Sequence, residues 1–146
     1  QYLGNITITG TTTVRTVESL FCVGAQIFEN KDVDAEEFHV SQWEAYEYKD
    51  KYDVREILEN LLSWMTAKGL EYIRCATQIM IVPGFRFRIT DRLITNFHQP
   101  KSTLLLLLSA FIGDEWRKVY GYALENNFRF LSYGDSCLFL NKKESK

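Results

Sequence analysis

The stretch that most restricts what this chain can fold into is ITDRLITNFHQPKSTLLLLLSAFIG, Ile89 to Gly113. Leu93, Ile94 and Phe97 among polar partners argue for a strand. Gln99-Pro100 ends it, because proline supplies no N–H to a ladder. Leu104 to Leu108, with Ala110 to Ile112 beyond, is apolar all round, which marks a buried helix. A strand running through a polar joint into a buried helix is the repeating unit of an α/β fold. The joint lies at the carboxyl end of the strand and the amino end of the helix, where unpaired N–H groups receive small anionic or polar ligands. Asn96, His98, Lys101, Ser102 and Thr103 crowd it.

Upstream, Asn5 to Thr9 alternates Ile6 and Ile8 with polar residues, a short strand by its β-branched content. Gly10 and three threonines follow, and then Val14, Val17 and Phe21 recur at helical spacing, giving strand, tight turn and helix. Gly10 permits a positive φ or a close ligand approach, and Thr11 or Thr12 can cap the helix. The same turn, with Thr13, can instead hold a ribose or carboxylate through hydroxyl and N–H groups. Arg15 and Glu18 lie one turn further in, where Arg15 pairs either with a ligand carboxylate or with Glu18.

Residues 29–53 form an acidic, aromatic insert or loop without a clean period, and a short strand is expected at Ala45 to Tyr48. His39 in this stretch reads as a surface residue. Asp53 then opens the clearest helix: Val54, Ile57, Leu58, Leu61, Leu62 and Met65 share one face, Asp53 and Glu56 resemble a capping box, and Gly69 stands past the end. From Tyr72 the chain alternates to Pro83-Gly84. A short strand is expected after it, with Phe85, Phe87 and Ile89 on one face and Arg86 and Arg88 on the other. Those arginines, with Arg92 close by, suit either phosphates or water. Trp116, Val119, Tyr120, Ala123 and Leu124 mark an amphipathic helix from Asp114 or Glu115, and a polar joint, Arg129 to Asp135, leads to a final strand, Cys137 to Leu140. Asp135 reads as an acceptor for a ligand hydroxyl or amine, or as a turn residue bonding its own backbone. Residues 141–146 are charged and expected to fray.

Composition narrows the class. With 146 residues and 46% apolar content the chain is long enough for one globular domain, 1–146. Without an initiator Met, and with a strand pattern from its first residues, it reads as a piece of a longer protein. Cys22, Cys75 and Cys137 are odd in number and form no CxxC pair, which fits reduced thiols in the cytoplasm and no metal site. No apolar run approaches the roughly 20 residues needed to span a bilayer, and no signal peptide is visible. Nine of the 19 acids and three of the 17 Lys and Arg fall between Glu29 and Asp53, so the rest of the chain is mildly basic. That balance suits a face touching a phosphate backbone, and equally an ordinary solvated surface. A nucleophile elbow, a P-loop and a zinc-ligand spacing are all missing from the sequence. On its own residues the chain reads as an α/β ligand-binding domain.

Four blocks carry a more specific signal: GTTTVRTVES (Gly10 to Ser19), IVPGFRF (Ile81 to Phe87), TNFHQPKST (Thr95 to Thr103) and FRFLSYGD (Phe128 to Asp135). In this order they resemble the carboxyl-terminal part of S-adenosylmethionine:tRNA ribosyltransferase-isomerase, the queuosine-pathway enzyme, over more than half of the chain. The resemblance implies a fragment of a larger α/β domain, with a layered and largely parallel sheet, helices on its faces and the family's β-barrel absent. It also implies a cytoplasmic transferase-isomerase that moves the ribosyl group of S-adenosylmethionine onto 7-aminomethyl-7-deazaguanine in tRNA, giving epoxyqueuosine with loss of adenine and methionine. S-adenosylmethionine is consumed as substrate, and no metal or membrane is implied. Carried onto this chain, the motifs place Thr11, Thr12, Thr13, Arg15, Glu18, Asn96, Ser102, Thr103, Tyr133 and Gly134 in substrate binding, and His98, Lys101 and Asp135 in catalysis.

The chain also departs from the family. About sixty residues separate the first two blocks, Gln78 stands where an acid is usual, and Gln99 replaces a leucine. These mark a divergent branch, expected to be inactive as a fragment. The alternative is a re-purposed, non-catalytic α/β protein that retains an S-adenosylmethionine or nucleoside pocket and recruits a protein partner through the acidic insert.

Overall fold

A computed structural model of the chain describes residues 3–30, 37–99 and 102–141. The fold is α/β, and its described residues divide into two compact units, 1–14 with 81–146 and 15–80. Where the sequence suggests one layered sheet, the described residues form two small sheets, one in each unit. Among the described residues two strand pairings are parallel and one is antiparallel.

The first unit holds β1 (Thr7–Thr9), β4 (Arg92–Asn96) and β5 (Ser136–Leu140) in the order β1-β4-β5. β1 runs parallel to β4 with Ile8 opposite Leu93, and β5 runs antiparallel to β4 with Phe139 opposite Leu93. These three side chains are the apolar members of the period-2 pattern and form one buried face. Helix α4 (Thr103–Ile112) buries Leu107, Leu108, Phe111 and Ile112 and packs against β5 and α5 (Glu115–Glu125). The amino ends of β1 and β4 are tied by Asp91, whose carboxylate accepts from the Ile6 N–H at 2.8 Å. Nearby, Arg92 donates to the Asn5 side chain at 2.6 Å, so one of the arginines suited to phosphates is engaged within the unit.

Phe85 to Ile89 does not form the expected strand, although Phe85 and Ile89 are buried as the alternation requires. No described strand pairs with it. Phe85 instead closes a turn to the Val82 carbonyl, and Phe87 packs between Phe85 and Phe111 at ring separations of 4.9 and 4.7 Å. Aromatic packing takes the place of a ladder.

Helix α1 (Thr11–Glu29) gives its first turn to the first unit and its remainder to the second. The second unit adds β2 (Phe38–Val40), α2 (Glu44–Glu47), α3 (Val54–Ala67) and β3 (Cys75–Thr77). β2 and β3 pair in parallel, Phe38 opposite Cys75 and Val40 opposite Thr77, with α2 and α3 in the crossover that such a pairing requires. Ala45 to Tyr48, expected as strand, instead runs through the helix α2 to its C-cap at Tyr48. The Glu44 carboxylate accepts from the Ser41 N–H at 2.9 Å and so satisfies a donor ahead of the short helix, while the true strand lies earlier, at Phe38–Val40. α3 follows its pattern closely. Asp53 accepts from the N–H groups of Arg55 and Glu56 at 2.9 and 3.1 Å, a cap that contributes about 1 kcal/mol. Gly69 takes a φ of +67° just past the helix. His39 is exposed, as expected.

The apolar faces of α1 and α3 meet at Gly24, where an added Cβ would stand 2.5 Å from Ile57 Cγ2 and 3.1 Å from the Ile57 carbonyl oxygen. Gly24→Ala is therefore expected to destabilise the chain by about 1–3 kcal/mol in urea denaturation. Gly121→Ala is the matched control. An added Cβ there meets nothing within 4 Å in the middle of α5, and the substitution should stabilise by about 0.5–1 kcal/mol. Equal stabilities for the two variants would contradict the close helix approach.

Candidate functional site

Because β1 and β4 are parallel neighbours, their carboxyl ends point the same way, so the GTTT turn and the NFH joint emerge at one end of the sheet. The Gly10 N–H donates to the Ile94 carbonyl at 2.8 Å, extending the pairing one residue past β1 and seating the turn beside β4. Gly10 has a φ of +88°, the conformation that calls for glycine, and its carbonyl accepts from the Val14 N–H to start α1. Thr11 is buried there, while Thr12 and Thr13 are exposed.

β5 brings the third block to the same end. It is antiparallel, so its first residue, Ser136, lies opposite the last residue of β4, Asn96. The Asn96 side-chain amide donates toward the carbonyls of Gly134 and Asp135 at 3.2 and 3.4 Å and toward Ser136 Oγ at 3.2 Å. The Leu131 N–H donates to the Phe97 carbonyl at 2.8 Å, a second tie. Three polar joints, widely separated in sequence, therefore converge on one edge of a three-stranded sheet.

The 129–135 loop is tightly built. Asp135 accepts from the Arg129 backbone N–H at 2.8 Å and pairs with its guanidinium at 3.2 Å; these contacts, the backbone one foremost, hold the carboxyl below the usual aspartate range. The turn reading of Asp135 thus accounts for its contacts, and an ionised carboxylate suits an acceptor better than a general acid near neutral pH. Gly134 packs so closely on the Arg129 carbonyl that a Cβ would overlap it. The loop projects Tyr133, which is 97% exposed.

His98 is half-buried, and burial pushes its imidazole below the usual histidine range, so the ring is neutral at neutral pH. Thr95 Oγ1 lies 3.1 Å from its Nε2, and its backbone N–H donates to the Tyr120 hydroxyl at 2.9 Å. A neutral imidazole can accept a proton or share one with a ligand oxygen. Ser102 takes the N-cap position of α4 in an extended conformation, yet its hydroxyl caps no N–H and, among the described residues, has no hydrogen-bond partner although it is shielded from solvent. An unpartnered hydroxyl at a helix amino end suits a polar ligand group. Thr103 begins the helix. Lys101 lies outside the described residues, as do 31–36 of the insert and 142–146 of the tail.

Arg15 and Glu18 belong to the second unit. The Arg15 guanidinium donates to the Ile79 carbonyl, and burial lowers its pKa; Glu18 is 1% exposed. Among the described residues no group of three or more His, Cys, Asp or Glu side chains is placed to hold a metal ion, no helix is long and apolar enough to cross a membrane, and all three cysteines are free.

Three residues at this end were not singled out from sequence: Thr95, Tyr120 and Arg129. Thr95 had a legible signal. It is the polar member of the inward-facing set Leu93, Thr95, Phe97, and a hydroxyl in a core position requires a partner. Tyr120 counted only as an apolar helix position, and Arg129 as part of a loop.

Comparison with known proteins accords with these blocks. The model of a family described as queuosine biosynthesis protein matches residues 2–139. Curated relatives named S-adenosylmethionine:tRNA ribosyltransferase-isomerase include one from Ruegeria pomeroyi, 60% identical over 44% of this chain and 19% of its own length. Another, from Burkholderia mallei, is 52% identical over 53% of this chain and 22% of its own. The chain thus spans about a fifth of the length of the curated relatives it matches. A solved S-adenosylmethionine tRNA ribosyltransferase from Thermotoga maritima is 29% identical, with a TM-score of 0.43 over 59% of this chain and 38% of that one. The family match covers nearly the whole sequence, and the chain belongs to the queuosine biosynthesis protein family.

Proposed function

We propose that this chain forms part of a tRNA-modifying ribosyltransferase-isomerase, and that its converging joints receive S-adenosylmethionine as the ribosyl donor. The observation that supports this best is the meeting of the GTTT turn, the NFH joint and the 129–135 loop at one sheet end, in a member of a queuosine biosynthesis family. In this reading the acceptor is 7-aminomethyl-7-deazaguanine in tRNA and the product is epoxyqueuosine. The protein works in the cytoplasm.

The residues suit such a ligand by their chemistry. The Ser102 hydroxyl and the start of α4 offer donors to a carboxylate, and Lys101 adds a positive charge. Thr11, Thr12 and Thr13 offer hydroxyl and N–H groups to a ribose, Gly10 lets the backbone come close, and Gly134 contributes through the loop that it packs against the Arg129 carbonyl. His98, neutral and half-buried, acts as the acid/base group, and the ionised Asp135 steadies positive charge or accepts from a hydroxyl. Asn96 joins the β4 end to the loop, and Tyr133 presents an aromatic face to a base. Arg15 and Glu18 serve the same ligand or the second unit's own packing.

Calorimetric titration of S-adenosylmethionine into the chain tests this reading. His98→Ala and Lys101→Ala are each expected to weaken binding about tenfold or more, equivalent to about 1.4 kcal/mol. Unchanged affinity in both would contradict a site at this joint. Gly134→Ala should weaken binding as well, by pushing the loop away from Asn96. By itself the chain is expected to release no adenine from S-adenosylmethionine. Release with tRNA bearing the deazaguanine base is expected once the chain replaces its counterpart in the Ruegeria pomeroyi relative, and His98→Ala should abolish it. Tight binding without release in that chimera would favour a re-purposed binding protein.

A further inference from the structure

His98 is held at both ends. Its backbone N–H donates to the Tyr120 hydroxyl at 2.9 Å, and its ring nitrogen Nε2 lies 3.1 Å from Thr95 Oγ1. Both partners are buried: Thr95 is 6% exposed and Tyr120 7%. Tyr120 is fixed in turn by ring contacts with Phe97 at 5.3 Å, Trp116 at 5.7 Å and Phe130 at 5.9 Å. Valine would fill the Thr95 position without burying a hydroxyl, so the polar group there needs its partner, and that partner is His98.

We propose that Thr95 and Tyr120 are positioning residues that hold His98 so that its imidazole meets the ligand through Nδ1. Whichever of Thr95 and His98 donates, Nε2 is occupied by that hydrogen bond. Among the described residues Nδ1 has no hydrogen-bond partner, which leaves it as the ring nitrogen open to a polar group of the ligand. The Thr95 bond also couples the tautomer to the strand: a hydroxyl donating to Nε2 fixes the proton on Nδ1, and an Nε2–H donating to the hydroxyl leaves Nδ1 as an acceptor. Tyr120 does the corresponding work on the backbone, setting the direction in which the residue leaves β4. The proposal rests on the reading that His98 faces S-adenosylmethionine.

The test is long-range nitrogen–proton correlation NMR on the chain labelled with ¹⁵N-histidine. It contains two histidines, and a His39→Gln variant assigns His98. The wild-type His98 ring should show one dominant tautomer. Thr95→Val should move its ring signals toward those of the exposed His39, and Thr95→Ser should restore them. Tyr120→Phe should shift and expose the His98 amide proton. Ring signals that are identical in wild type and Thr95→Val would overturn the positioning role. On addition of S-adenosylmethionine, Nδ1 should respond more than Nε2, and Thr95→Val should bind about tenfold more weakly, the upper end for one lost hydrogen bond. A larger response at Nε2 would overturn the assignment of the facing nitrogen. No ligand response in any signal would defeat the S-adenosylmethionine reading, whereas the tautomer comparison in the free chain would still decide the role of Thr95.

Discussion

The parallel pairing of β1 with β4 is the constraint on which the first unit depends. β-strands that run the same way deliver their following loops to the same edge, and here each strand is followed by a polar joint and then a helix. The Gly10 N–H to Ile94 carbonyl bond carries the ladder just past the end of β1 and fixes where the threonine turn sits. β5 completes the arrangement by running the other way, so that the loop before it, not after it, arrives at that edge. A reversed β5 would send the 129–135 loop to the opposite end and leave Asn96 without its partners.

Much of the polar chemistry at this edge holds the loops before it meets any ligand. Asn96 reaches across to Gly134, Asp135 and Ser136, and Asp135 turns back on Arg129. Leu131 takes a φ of +72°, rare for a residue with a Cβ, and its N–H is tied to Phe97. Strained backbone held by several hydrogen bonds is a usual feature of loops that must present groups in a fixed arrangement. The groups presented at this end include the His98 ring edge, the Ser102 hydroxyl, which has no hydrogen-bond partner among the described residues, and the projecting Tyr133.

The two carboxyl and imidazole groups of the edge are driven by different forces. Asp135 is solvent-facing, and its pKa falls because an N–H and a guanidinium favour the charged form. That bond is fully present above the ordinary aspartate pKa and is lost as pH falls through the lowered one. His98 shifts because burial disfavours the cation, which keeps the ring neutral across the neutral range. A positively charged ligand such as a sulfonium would meet no competing imidazolium there.

The sequence by itself determined the elements whose patterns are local. β4 and α4 follow from alternation broken by Gln99-Pro100 and an all-apolar run, and α3 from its heptad-like face, the Asp53 cap and Gly69. It also carried the family, because TNFHQPKST and GTTTVR are compact motifs whose residues are contiguous. What failed were segments whose conformation depends on a distant partner. Phe85 to Ile89 alternates like a strand but has no described strand beside it, and Ala45 to Tyr48 has strand-forming residues but coils behind Glu44. Tertiary structure alone decided which joints share an edge, since the order β1-β4-β5 and the direction of β5 arise from pairing between residues more than eighty positions apart in one case and about forty in the other. It likewise decided that Thr95 and Tyr120 flank His98 and that Arg15 and Glu18 sit in another unit. Hydrogen bonds and burial select among such pairings over distances that no local pattern records.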